Sequence, residues 1–230
     1  MGLDFDSFVL AASTADLSTE PAARDHADAI EFRMDLAAEP LKALESYDEG
    51  DGELPVLATN RAEWEGGEWD GDDAARLEVL AEATHFDAVG AIDIELESIL
   101  EGDAEDLLET ARERDVTVVA SAHDFEGTPT RGEMVSTLTE AGKYADVSKL
   151  AVTAESHADT LAVLAATEQM TAHGDRVATM AMGELGSHTR AVAPVYGSKI
   201  GYAPVESADA TAPGQYDLET LSRLVSQLEA

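Results

Sequence analysis

Short apolar runs containing β-branched residues recur eight times along the chain: SFVLAAS (7–13), AIEFRMD (29–35), LPVLATN (54–60), VGAIDIEL (89–96), VTVVASAH (116–123), ADVSKLAV (145–152), RVATMAMG (176–183) and KIGYAPV (199–205). Between most of them lie stretches with helical periodicity, including DDAARLEVLAEATH (72–85), DAEDLLETARERD (103–115), TRGEMVSTLTEAGKY (130–144) and SHADTLAVLAATEQM (156–170), with Asp or Ser placed to cap their first turns. Strands alternating with helices every 25 to 30 residues or so imply βα units and a parallel sheet. Eight such units in 230 residues predict a single (β/α)8 TIM barrel in the α/β class, forming one domain over residues 1–230. An open doubly wound sheet of six or seven strands is the alternative that periodicity leaves standing. APVESADATAPGQY (203–216) reads as a long loop before a final helix, and in a barrel it would lie over the mouth.

Charge narrows the partners. Asp and Glu number 48 against 14 Lys and Arg, a net charge of −34, so nucleic acid and anionic membrane faces would be repelled. The acidic residues are spread along segments that keep apolar periodicity, and 44% of residues are hydrophobic, enough for a substantial core. Such a chain fits a salt-rich cytoplasm, where a Debye length of about 3 Å at 1 M removes most self-repulsion. The start MGLDFDSFVLAAS lacks a basic region followed by a long apolar stretch, and no later run approaches the length of a membrane span, so a soluble, cytoplasmic protein is expected. Without cysteine there is neither a disulfide nor a thiolate metal site.

The strand ends carry the chemistry. Glu31, Arg33 and Asp35 end the second run, Asn60 and Arg61 the third, Asp93 and Glu95 the fourth, Ser121 and His123 the fifth, and Lys149 lies within the sixth. In a barrel those C-terminal ends converge on the active-site face. Singly, each has an ordinary structural explanation, such as a helix cap, an ion pair or a satisfied core histidine. Five consecutive strands ending this way are harder to account for by structure alone.

Lys149 is the most informative, because the chain holds only four lysines and burying an unpaired ammonium is costly. Apolar neighbours and cationic partners lower a lysine's pKa toward the range where its amine is a nucleophile. An ion pair with Asp93 or Glu31 is the structural alternative. Imine chemistry also moves protons, and His123, one strand earlier, is the natural shuttle. Asp124 follows His123 directly and should point elsewhere, whereas Glu65, in the loop after the third strand, can reach over the mouth and orient the imidazole. Arg61 and Arg190 suit a small anionic substrate, since a guanidinium binds a carboxylate bidentately. Gly183, Gly186 and Gly197 fit tight turns or phosphate-cradling loops, but they match neither a P-loop nor a complete GxGxxG. The six histidines have no ligand spacing, so neither metal nor cofactor is expected.

Taken in order, EFRMD (31–35), TNRAEWEGG (59–67), SAHDF (121–125), SKLAV (148–152), MGELGSHTR (182–190), YGS (196–198) and APGQ (212–215) resemble the type I 3-dehydroquinate dehydratases over nearly the whole chain. The resemblance implies a (β/α)8 barrel, commonly dimeric, that converts 3-dehydroquinate to 3-dehydroshikimate and water, the third step of the shikimate pathway. It implies that Lys149 forms an imine with the substrate ketone, that His123 acts as base and then acid, and that Glu65 orients His123. It further implies that Arg190 binds the substrate carboxylate, that Glu31, Arg33 and Arg61 contact ring hydroxyls or organise the pocket, and that Gln215 closes over the substrate. Thr211 stands where the family commonly has Ser, and its hydroxyl can donate the same hydrogen bond. The competing expectations are a class I aldolase or transaldolase, which also uses a barrel lysine, and a silent barrel in which Lys149 is structural.

Overall fold

The computed structural model describes residues 2–205 and 214–228. Its eight strands are β1 (Val9–Thr14), β2 (Ala29–Arg33), β3 (Val56–Thr59), β4 (Val89–Glu95), β5 (Thr117–Asp124), β6 (Val147–Thr153), β7 (Val177–Met182) and β8 (Ile200–Pro204). Every observed pair is parallel, in the order β7-β6-β5-β4-β3-β2-β1-β8. All eight apolar runs are strands, so the expected barrel replaces the open sheet. The helices are α1 (Pro40–Glu49), α2 (Asp73–Ala83), α3 (Leu96–Glu101), α4 (Glu105–Glu113), α5 (Arg131–Ala141), α6 (His157–Ala172), α7 (Thr189–Val192) and α8 (Leu218–Leu228). The four helices expected from periodicity are α2, α4, α5 and α6. Side chains cap two of them as the sequence suggests, Asp72 accepting the Ala75 N–H at 2.8 Å on α2 and Thr130 with Glu133 forming a capping box on α5, whereas α4 begins after Ala104 with no side-chain cap.

Period-two alternation decides what fills the barrel. Val9, Leu57, Val119, Val147 and Ile200 cluster inside it, and Phe5, ahead of β1, packs with them. Leu3 holds that leading segment in place: its N–H reaches the Gly90 carbonyl at 2.8 Å and its carbonyl accepts Thr117 Oγ1 at 2.9 Å. On β2 to β6 the next inward positions turn polar, with Glu31, Thr59, Asp93, Ser121 and Lys149 all buried.

The barrel closes between β7 and β8 without a regular ladder. Lys199 N–H reaches Val177 O at 2.7 Å, and the buried Ser198 Oγ accepts the Thr179 N–H at 3.0 Å, a side chain taking the place of a missing strand partner. Ser198 is the Ser of YGS, which gives that motif a structural reason. Among the described residues no helix is long and apolar enough to cross a membrane.

Candidate active site

The site begins with Lys149, whose Nζ enters the barrel 5% exposed and donates to Asp93 Oδ2 at 2.8 Å. Asp93 is shared. Its Oδ1 accepts Ser121 Oγ at 2.5 Å and Arg61 Nη2 at 2.9 Å, and the two cations hold its carboxyl well below the usual carboxylate range despite burial. Arg61 also donates to Glu95 Oε1 at 2.9 Å and to Ser121 Oγ at 2.7 Å. Glu95 meets a second, fully buried arginine, Arg76, at 2.7 Å, and Arg76 pairs outward with Asp73. A row of alternating charges thus runs from Lys149 through the barrel wall to α2, so no charge in it is buried alone. Tyr202 of β8 lies beneath the lysine, with Nζ 4.4 Å from its ring centroid.

His123 is two residues further up β5 than Ser121, the register partner of Lys149, and so shares its inward face one strand over. Its Nδ1 meets Glu65 Oε2 and its backbone N–H reaches Glu65 Oε1 at 3.4 Å. Burial, with Arg61 and Lys149 nearby, depresses the His123 pKa well below the ordinary imidazole value and keeps the ring neutral. Burial pushes Glu65 up, to about 7, so histidine and carboxylate form one coupled pair. Glu65 is aimed by the two glycines after it: Gly66 turns the chain with φ of +78°, and a Cβ on Gly67 would lie 2.0 Å from the Arg61 carbonyl oxygen. That close approach is the physical content of EGG.

Arg190 completes the pocket from α7, which is tied to β7 where Thr189 Oγ1 accepts the Ala181 N–H at 2.9 Å. It is 5% exposed, its Nε has no hydrogen-bond partner, and among the described residues no carboxylate lies within ion-pair distance. Burial lowers its pKa to about 10. Of the pocket cations it is therefore the one without an ion-pair partner among the described residues. On the far wall, Glu31 accepts Ser13 Oγ at 2.5 Å and Thr59 Oγ1 at 3.4 Å, and Arg33 is clamped by Asp35 at 2.7 Å.

These groups surround one cleft of about 560 Å³, open solvent at its mouth included, with Gln215 at its edge. Comparison with known proteins identifies the arrangement. The sequence profile described as type I 3-dehydroquinase matches residues 9–230. The chain belongs to the type I 3-dehydroquinase family. A 3-dehydroquinate dehydratase of Haloarcula marismortui is 56% identical, over 99% of this chain and 99% of that protein. The solved 3-dehydroquinate dehydratase of Geobacillus kaustophilus superposes with a TM-score of 0.86 at 27% identity, covering 97% of this chain and 92% of that one. The type I enzyme of Clostridium difficile, solved with covalently modified comenic acid, does so at 0.85 and 25%, covering 99% and 93%.

Seen as a type I 3-dehydroquinase, the chain brings together Lys149, His123, Glu65, Glu31, Arg33, Arg61, Arg190 and Gln215, while Thr211 lies outside the described residues. Asp124 points away as expected, accepting the Glu126 and Gly127 N–H groups. Asn60 departs from the expected mouth position. Flanked by inward Thr59 and Arg61, it faces outward and donates to the Arg76 carbonyl at 3.0 Å. Gly183 and Gly197 sit in tight turns with φ of +80° and +95°. Residue reasoning missed Tyr202, Met180, Met182 and Phe125 as pocket walls. Alternation along β7 and β8 pointed the first three inward, but nothing distinguished pocket wall from core. Among the described residues no group of three or more His, Asp or Glu is arranged to hold a metal ion.

Proposed function

We propose that this 3-dehydroquinase dehydrates 3-dehydroquinate to 3-dehydroshikimate through an imine at Lys149, with His123 moving the protons. The observation that carries the reading is the shared inward face of Lys149 and the His123–Glu65 pair on adjacent strands, with Arg190 in the same cleft and without an ion-pair partner among the described residues.

The Lys149 amine adds to the ketone carbon, the carbonyl oxygen leaves as water, and a C=N bond forms with its nitrogen protonated. That cationic nitrogen draws electrons from the adjacent C–H bond. Neutral His123 takes the proton and the electron pair flows to nitrogen, giving an enamine. The enamine pair then expels the β-hydroxyl, which takes the proton back from imidazolium His123 and leaves as water. A second water hydrolyses the imine, releasing the unsaturated ketone and restoring the amine. Glu65 fixes which imidazole nitrogen carries the hydrogen and steadies the imidazolium when it forms. Arg190 takes the substrate carboxylate bidentately. Arg61, saturated by Asp93, Glu95 and Ser121, organises the pocket, and Glu31 and Arg33 face the ring hydroxyls. By the family resemblance, Gln215 closes over the substrate and the Thr211 hydroxyl donates a hydrogen bond to it.

The rest of the reading is a homodimeric, single-domain cytoplasmic enzyme of aromatic amino acid biosynthesis, and it rests on the family resemblance. Borohydride reduction in the presence of 3-dehydroquinate tests the chemistry. Peptide mass spectrometry is expected to place one substrate-derived adduct on Lys149, absent from K149A. No adduct on folded protein would end the imine reading and leave Lys149 as a structural partner of Asp93.

A further inference from the structure

Phe125 stands out because it adds nothing to the core and yet is closely fitted. Its ring is half exposed, at 51%, while one face lies parallel to the His123 imidazole, with centroids 5.7 Å apart and planes within 7°. The chain leaves room for it, since a Cβ on Gly66 would sit 2.7 Å from Phe125 Cζ. A large exposed aromatic held in register with one imidazole calls for an explanation beyond burial.

We propose that Phe125 is a positioning residue of this site: its ring, parallel to His123 and offset from it, shields part of one face, fixes the imidazole plane against Glu65, and withholds water from the base. The inference rests on His123 being the base, as proposed above. With Phe125 in place, the imidazole is bounded by the aromatic ring on one face and by Glu65 at Nδ1, leaving the rest of the ring for the cleft. The charged groups that act on it are Glu65 from the turn after β3, Arg61 at the end of β3, Asp93 from β4, Lys149 from β6 and Arg33 from β2. Three of these are cations that favour the neutral ring. Admitting water weakens their hold by screening and solvates the imidazolium, so protonation becomes easier. The same water lets Glu65 ionise more readily, and an ionised Glu65 attracts a proton to the imidazole. Both changes act in one direction.

Because Phe125 is half exposed, F125A is expected to fold. Its acid limb of kcat/KM should move upward in pH by about one unit or more, toward ordinary imidazole behaviour. Activity should fall about two- to fourfold more at pH 6 than at pH 9, fourfold being the loss when an imidazole with the ordinary pKa near 6.5 replaces one that is neutral at both. F125W, which restores a flat cover, should return the limb to its wild-type position; F125L, apolar but not flat, should return it in part. A 15N NMR titration of His123 reads the ring directly. If that titration is the same in wild type and F125A, Phe125 does not control the imidazole and the proposal is overturned. If it moves while the kinetic limb stays fixed, the contact stands and His123 is not the base.

Discussion

At the scale of single residues the pocket sets function against stability most openly at Arg190. Lys149, Arg61 and Arg33 each have a carboxylate within 3 Å, whereas Arg190 has none among the described residues. An uncompensated buried cation destabilises the empty protein and is compensated when an anion arrives. Arg190→Met, which keeps the apolar stem, should therefore raise the thermal midpoint of the ligand-free protein by about 2–4 °C for each kcal/mol recovered. It should also lower kcat/KM by roughly 10- to 150-fold, the scale of a charged hydrogen-bonded contact. Calorimetry and steady-state kinetics on one preparation check both. A variant that loses activity without gaining stability would mean that Arg190 is not strained by burial. Charge made this residue legible in the sequence. Tyr202 was not legible, because an inward aromatic on an apolar strand reads as core until the lysine above it is seen.

At the scale of elements, legibility followed the length of the periodic signal. The strands were readable because each is a short, mostly apolar run with β-branched residues, and α2, α4, α5 and α6 because each spans two or more turns. Helix α1 escaped notice: its buried stripe is only Leu44 and Tyr47 in an acidic background, although Pro40 marks its first turn. Helices α3 and α7, of six and four residues, are too short to show a period, and α7 carries Arg190. Strand parity was available for Asn60 and would have placed it outside, because both its neighbours face inward. The β7–β8 closure is the element-level feature that composition could not reveal. Ser198→Ala would leave the buried Thr179 N–H without an acceptor at the seam, an expected loss of about 1–3 kcal/mol. Urea denaturation should show this as a lower midpoint with an unchanged slope. A midpoint equal to wild type would mean that Lys199 alone holds the seam.

At the scale of the whole molecule, two kinds of electrostatics operate in one chain and salt separates them. The row from Lys149 to Arg76 is buried and internally paired, so dissolved ions screen it little. The net charge of −34 is carried mostly by exposed Asp and Glu, whose mutual repulsion acts through water and is screened by ions. The likeness to a relative from a halophilic archaeon agrees with a fold balanced for high ionic strength. Lowering salt from molar concentration to about 0.1 M lengthens the Debye length from about 3 Å to about 10 Å and restores repulsion over neighbouring surface charges. The thermal midpoint is expected to fall steeply over that range. The buried row predicts something more specific: while part of the population remains folded, activity per folded molecule should stay constant, because the site does not sense the ions that the surface needs. Following turnover and circular dichroism together through a salt titration tests both statements. A midpoint indifferent to salt would remove the halophilic adaptation, and activity lost ahead of structure would show that the charges around Lys149 are not insulated from solvent.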